Sequence, residues 1–276
     1  MSSKAMSLLA KINNYAAKNN IAAQTVLQNL MFERFLKRLS VSEYKDVFVI
    51  KGGILVTSIV GLSTRSTMDL DTTLRNLPLT KEAIQEAIEN INNIPLKDEI
   101  KFTIVSIKPI RKDDVYGGYR VRIDATYDTI ITPLSIDIST GDVITPGAVQ
   151  HEFTGLFDED LHFDLWTYNI ETVLAEKTET ILRRAVLNTR PRDFYDVFIL
   201  SKTKEYNKEI FIRALNETSK HRGSNDIIAE KDKILETIKS SPELKNSWAK
   251  YQSKFSYARD IQYSEIMKAL DDLLEN

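Results

Sequence analysis

Apolar residues recur along this chain with two different periods, and the change of period organises it. Over 22–39, Val26, Leu27, Leu30, Met31, Phe35 and Leu36 return at helical spacing, with Glu33, Arg34, Lys37 and Arg38 between them. Residues 3–18 read as a helix before it. "DVFVI" (46–50) is a short continuous apolar run, suited to a strand covered on both faces. "ILVTSIVGL" (54–62) carries β-branched residues that weigh against helix. A Gly-Gly turn precedes it and Gly61 can stop it, so a short buried helix is expected. "STMDLDTTL" (66–74) alternates like a strand. Residues 80–93 read as a helix with Thr80 as N-cap and Ala83, Ile84, Ala87, Ile88 and Ile91 on one face. From 101 to 145 the period is two, in "FTIVSIKPI", "YRVRIDATYD" and "LSIDIST", punctuated by Gly117, Gly118, Pro133 and Gly141. That predicts a β meander. From 166 onward helix dominates. The pattern predicts an α+β domain over 1–165 and a helical domain over 166–276.

Two carboxylates interrupt this pattern. In a strand Asp69 and Asp71 share a face while Leu70 points to the core. At about 6.7 Å they repel by roughly 2–3 kcal/mol at an effective dielectric near 20. Solvent on an exposed strand face can absorb that cost, and so can a divalent cation, since hard oxygen ligands suit Mg²⁺. A third carboxylate favours the cation. Ile136 and Ile138 face the core, so Asp137 projects to the opposite face in mid-strand, where aspartate is disfavoured without a task. Asp124 is its rival, but Arg120 and Arg122 on its own face explain it as an ion pair. Asp137 shows no such neighbour in its own strand. Gly52 and Gly53 supply a turn whose backbone N–H groups can approach a phosphate, with a helix N-terminus behind. It is not a Walker A loop.

A second cluster lies in "LAEKTETILRRAVLNTRPRDFYDVFIL" (174–200). Lys177 sits on the apolar face with Val173, Leu174 and Ile181, so it needs an anionic partner, for which a nucleotide phosphate would serve. Arg184 shares that face, whereas Arg183 can pair with Glu179 at i−4. Asp193 and Asp196 lie on one side of the following helix, together with Leu200. Arg183, Arg184, Arg190 and Arg192 form a local basic patch, in which Arg190 and Arg192 can alternatively pair with Asp193 and Asp196.

Composition narrows the choice. The 276 residues carry 37 basic against 39 acidic groups, a net charge of −2, so a nucleic acid must be held locally and not by bulk charge. There is no cysteine, which excludes disulfides, thiolate catalysis and cysteine-ligated zinc, and the three histidines are scattered. No segment approaches the roughly 20 apolar residues of a membrane span, and the N-terminus has no apolar leader, so a cytoplasmic protein is expected.

"FERFLKRLSVSEYKDVFVIKGGILV", "RSTMDLD", "EKTETILRRAVLNTRPRDFYDVFIL" and the late pair Trp248 and Tyr251 resemble the AbiEii-type (AbiEii/AbiGii) nucleotidyltransferase toxins of the polymerase-β-like superfamily. The resemblance implies a mixed sheet flanked by helices, followed by a helical domain that completes the active site. It implies a toxin of a toxin–antitoxin or abortive phage infection pair, whose antitoxin is an AbiEi-like transcriptional regulator, with or without a stable complex. Asp69 and Asp71 would hold Mg²⁺ or Mn²⁺, with Asp137 as third ligand. Lys51, Gly52, Gly53, Arg65, Thr67, Lys177 and Arg184 would contact the nucleotide, GTP or CTP among the NTP candidates. Lys177 matches the motif lysine, and Asp193 or Asp196 the catalytic aspartate after it. The acceptor implied is RNA, the tRNA 3′ end in some relatives. A protein or small-molecule acceptor, or a degenerate NTP-binding module, are the alternatives. The superfamily more often has Gly-Ser where this chain has Gly-Gly.

Overall fold

The computed structural model describes residues 2–110 and 117–275, which separate into two compact units. One runs up to Asp142 and resumes over Val149–Thr167; the other takes Val143–Ala148 and continues from Tyr168.

In the first unit the period-two segments all join one sheet. The elements are α1 (Ser3–Asn19), α2 (Ala23–Ser40), β1 (Phe48–Lys51), α3 (Gly52–Val60), β2 (Leu70–Leu74) and α4 (Lys81–Asn92). Then follow β3 (Ile100–Ile110), β4 (Gly118–Tyr127), β5 (Ile130–Thr140), β6 (Val149–Thr154) and β7 (His162–Thr167). The strand order is β3-β4-β5-β2-β1-β7-β6. β2 runs parallel to β5 and β7 parallel to β1, the remaining pairs being antiparallel. β1 lies inside the sheet, which is why Phe48, Val49 and Ile50 are all buried and the run shows no alternation. Along β5 the alternation is strict: Leu134, Ile136 and Ile138 are buried, and Asp137 faces the other way. α3 is helical as expected, ending at Gly61 with φ of 91°.

Two features depart from the sequence pattern. α2 is buried on nearly every side, including Glu33 and Arg38 among the polar positions of its stripe. Arg38 is 2% exposed because its fork is satisfied: Nη1 and Nη2 each reach Asp98 at 2.8 Å, and Nη2 also donates to the Ile100 carbonyl. Burial alone would raise the Asp98 carboxyl, but the hydrogen bonds from Arg38 and the Ile100 N–H bring it below its ordinary value. β6 and β7 had no clear trace in the pattern. β6 buries only Phe153, and both strands are six residues long with charged residues on the open face.

The second unit is helical: α5 (Ile170–Arg184), α6 (Pro191–Thr203), α7 (Lys208–His221), α8 (Asn225–Ala229), α9 (Lys231–Ser240), α10 (Pro242–Lys254) and α11 (Tyr263–Leu274). Asn169 caps α5 by accepting from the Thr172 N–H at 2.7 Å, and its amide donates to the Thr145 and Gly147 carbonyls, both at 2.9 Å. That tethers 143–148 to the start of α5. α6 begins with Pro191 and packs on α5, α10 and α11. The fold is the α+β arrangement expected, a mixed sheet with flanking helices followed by a helical region. Among the described residues no helix is long and apolar enough to cross a membrane.

Candidate active site

Strand register places four charged residues in one row. Lys51 of β1 lies opposite Asp71 of β2, Asp71 opposite Asp137 of β5, and Asp137 opposite Arg120 of β4. Directly opposed residues share a face of the sheet, so the row reads plus, minus, minus, plus. Two neighbouring strands, about 4.8 Å apart, thus set two carboxylates side by side. Asp69, two residues before Asp71 on the strand path, adds a third and is exposed. The flanking cations offset the repulsion. Arg120 Nε and Nη2 grip Asp137 Oδ1 and Oδ2 at 2.7 and 2.6 Å. This bidentate bond, then the Asp137 charge, and with them Asp69 and Asp71, raise the Arg120 guanidinium above its ordinary value. At the other end Lys51 pairs with Asp142 and donates to Ser139 Oγ at 3.0 Å, while Ser139 Oγ donates to Asp142 Oδ2 at 2.9 Å. Burial raises the Asp142 carboxyl, but Lys51, Ser139 and Thr73 outweigh it and the net direction is down.

The glycines are there for Asp71 and Thr67. Gly52 has φ of +64°, and a Cβ built on it would fall 2.8 Å from the Asp71 Cβ and Cγ. A Cβ on Gly53 would meet Thr67 Oγ1 at 2.5 Å and Arg65 Nη1 at 2.8 Å. α3 starts at Gly52 with no side-chain cap from Lys51 and no acidic residue in its first turn. Gly52→Ala is therefore expected to cost at least tenfold in transferase activity by displacing Asp71, whereas Gly61→Ala is not. Gly61 also has positive φ, but nothing lies within 4 Å of its built Cβ, so it controls for backbone strain of about 1 kcal/mol. Equal activity losses in the two variants, measured beside their thermal melts, would remove the steric explanation.

In the second unit Lys177 is 14% exposed on α5, and its ammonium reaches Asp193 Oδ1 at 2.8 Å and Asp196 Oδ2 at 2.7 Å. Asp196 is fully buried. The anionic partner its apolar face demanded is thus supplied by α6. These carboxylates take the lysine, while Arg192 instead lies over the Phe255 ring at 5.9 Å, and the ion pairs considered for Arg190 and Arg192 with Asp193 and Asp196 are not the contacts formed. Arg183 pairs with Glu179 at 2.8 Å, as its spacing implied. Arg184 ends α5 and is half-buried; Arg190 is exposed.

The structure thus brings Lys51, Gly52, Asp71 and Asp137 together, with Asp69 at the approach. Thr67 and Arg65 lie beneath Gly53, Arg65 being 2% exposed with Nη1 donating to the Ser66 carbonyl. One expectation fails. Asp137 does have a cationic neighbour, because Arg120 reaches across to β5 instead of along β4 to Asp124. The turn held the signal: Tyr127 faces Ile130 across a two-residue loop, and counting seven positions out from each leads to Arg120 and Asp137. Ser139 and Asp142 carry no signal in the sequence pattern, because Asp142 lies past the end of β5, where periodicity says nothing.

Among the described residues no three His, Asp or Glu side chains form a ready-made metal cage. The donor set still fits a hard divalent ion, because Mg²⁺ is commonly held by one or two carboxylates completed by water and substrate phosphate. Asp69 and Asp71 are such a pair.

The family model for the nucleotidyl transferase AbiEii toxin, type IV TA system, matches residues 34–276. Among solved structures, the fold is similar to that of a candidate nucleotidyltransferase from H. pylori, at 18% identity and a TM-score of 0.52, covering 92% of this chain and 94% of that one. JHP933 from Helicobacter pylori is similar at 18% identity and a TM-score of 0.51, covering 92% and 91%. At such identity the likeness is one of fold. No curated protein matches the chain.

Proposed function

Because the chain belongs to the AbiEii nucleotidyltransferase toxin family, and so is a nucleotidyltransferase with an implied cognate antitoxin, we propose that it transfers NMP from an NTP to an RNA acceptor, the tRNA 3′ end. The observation that supports this most is the row Lys51, Asp71, Asp137 beside the glycine turn at the head of α3. Asp69 and Asp71 would hold Mg²⁺ or Mn²⁺, with Asp137 available as third ligand. When bound, the ion supplies Lewis-acid neutralisation of phosphate charge. Backbone N–H groups at Gly52 and Gly53 orient the triphosphate, with Lys51 beside them. Asp137 accepts the proton of the attacking hydroxyl as its oxygen bonds to the α-phosphorus and the bond to the β-phosphate oxygen breaks, releasing pyrophosphate. For the second unit we carry over what the motif implies: Lys177 and Arg184 toward nucleotide phosphate, and Asp193 or Asp196 as the catalytic aspartate. The deciding experiment incubates purified protein with total tRNA and each α-labelled NTP. Label entering tRNA with one NTP supports the reading; label entering only protein or small molecules would replace the acceptor.

Arg190 and Arg192 offer the acceptor a phosphate-binding edge. Charge reversal of both to Glu should weaken tRNA binding while sparing nucleotide binding. Each phosphate contact contributes roughly 0.7–0.9 to the salt slope, so the double variant should show a slope shallower by about one to two units. An unchanged slope would remove the patch from the RNA path and leave the transferase assignment standing.

A further inference from the structure

We propose that Arg120 is a resident counter-cation of the active site: it occupies Asp137 until a divalent ion enters, and the ion gains Asp137 only by displacing it. This rests on the metal reading of Asp69 and Asp71 above and deepens it.

Three observations support the exchange. Arg120 holds both carboxylate oxygens of Asp137 in a fork, at 2.7 and 2.6 Å. Those in-plane lone pairs are the ones a chelated ion would need. The pairing is poised and not buried: Arg120 is 44% exposed, and its long stem can leave the sheet surface without disturbing the core. Its contrast is Arg38, 2% exposed and anchored to Asp98 and a carbonyl, which is a fixed structural pair. Finally, Asp137 is in register with Asp71. Two such carboxylates and a divalent ion form a favourable set, whereas the same ion and a guanidinium on one carboxylate repel. Asp69 and Asp71 also act to raise the guanidinium above its ordinary value, after the hydrogen bond and charge of Asp137, which places Arg120 within electrostatic reach of them. In the absence of metal Arg120 holds Asp137 in a bidentate ion pair. Once displaced, it is released beside the anionic nucleotide that arrives with the ion.

The test is Mn²⁺ binding to the full chain without nucleotide, followed by the electron paramagnetic resonance signal of free Mn²⁺. Arg120→Gln should lower the Mn²⁺ dissociation constant about tenfold, the order expected when one nearby positive charge is lost at a dielectric between surface and bulk. Arg120→Lys, which restores the charge, should bind within about twofold of wild type. A purely structural Arg120 would leave the affinity unchanged or weaken it in Arg120→Gln, and either result overturns the proposal. Asp69→Asn separates the two levels. If it weakens Mn²⁺ binding while Arg120→Gln fails to tighten it, only the exchange falls. If Asp69→Asn has no effect, the metal reading falls and the exchange with it.

Discussion

Asp71→Ala is expected to reduce nucleotide transfer by about 10³-fold and to abolish growth arrest on expression, without unfolding the protein. The magnitude follows from its place. Metal neutralisation of phosphate charge is worth several kcal/mol in the transition state, and about 4 kcal/mol corresponds to a thousandfold in rate. Asp71 stands at the middle of the charged row, between Lys51 and Asp137, and against the glycine turn. No other carboxylate of the row can take its position without moving a strand. Stability should hold because Asp71 lies between Asp137 and Lys51, so its removal relieves a like-charge contact as it gives up an opposite-charge one; a change within about 1 kcal/mol is expected. Asp69→Ala should show the same kinetics, being a second oxygen donor at an exposed position. Single-turnover assays with labelled NTP, run beside thermal melts, decide the matter. Transfer retained within tenfold of wild type, or a melt lowered by many degrees, would make Asp71 structural.

Much of this architecture was legible because burial follows periodicity. The continuous run before Gly52 suits an interior strand, and the alternation of β5 puts Asp137 opposite its isoleucines. Thr80 caps α4 as read, accepting from the Ala83 N–H at 3.2 Å. What escaped were relations across strands. A single strand shows which residues share its face, but not which neighbour sits beside it, so Arg120 was assigned to Asp124 along β4. The distance from Asp71 to Asp137 in sequence likewise hides that β2 and β5 are adjacent and parallel. β6 and β7 were missed for a different reason. An edge strand that buries one phenylalanine has almost no pattern to read, and β7 carries His162 and Asp164 on its open face. In α2 the apolar stripe is legible but the burial of its polar side is not, since Arg38 is buried through partners supplied by residues 98–100.

Lys177→Met is expected to be the most destabilising of these substitutions, by about 3–5 kcal/mol. From the sequence the replacement looks benign, because methionine fills an apolar face at similar volume. The structure reverses that expectation. Lys177 is the cation between two carboxylates, and Asp196 has no solvent exposure at all. Removing the lysine takes from the buried Asp196 a cation 2.7 Å from its carboxylate, and that penalty exceeds what the methionine gains by packing. Lys177→Met/Asp196→Asn should recover a large part of the loss, because the buried group left behind is then neutral. The double-mutant cycle gives the coupling directly. Nucleotide binding by the double variant then separates a role of the Lys177–Asp196 pair at the nucleotide from its role in folding. If the double variant is stable and still binds NTP with wild-type affinity, Lys177 serves the helical unit alone. If it is stable and binding is lost, Lys177 or Asp196 has a second task that the ion pair does not explain, and Asp196→Asn alone assigns it. A single variant that melts with the wild type would show that the Asp193 and Asp196 contacts contribute nothing to stability.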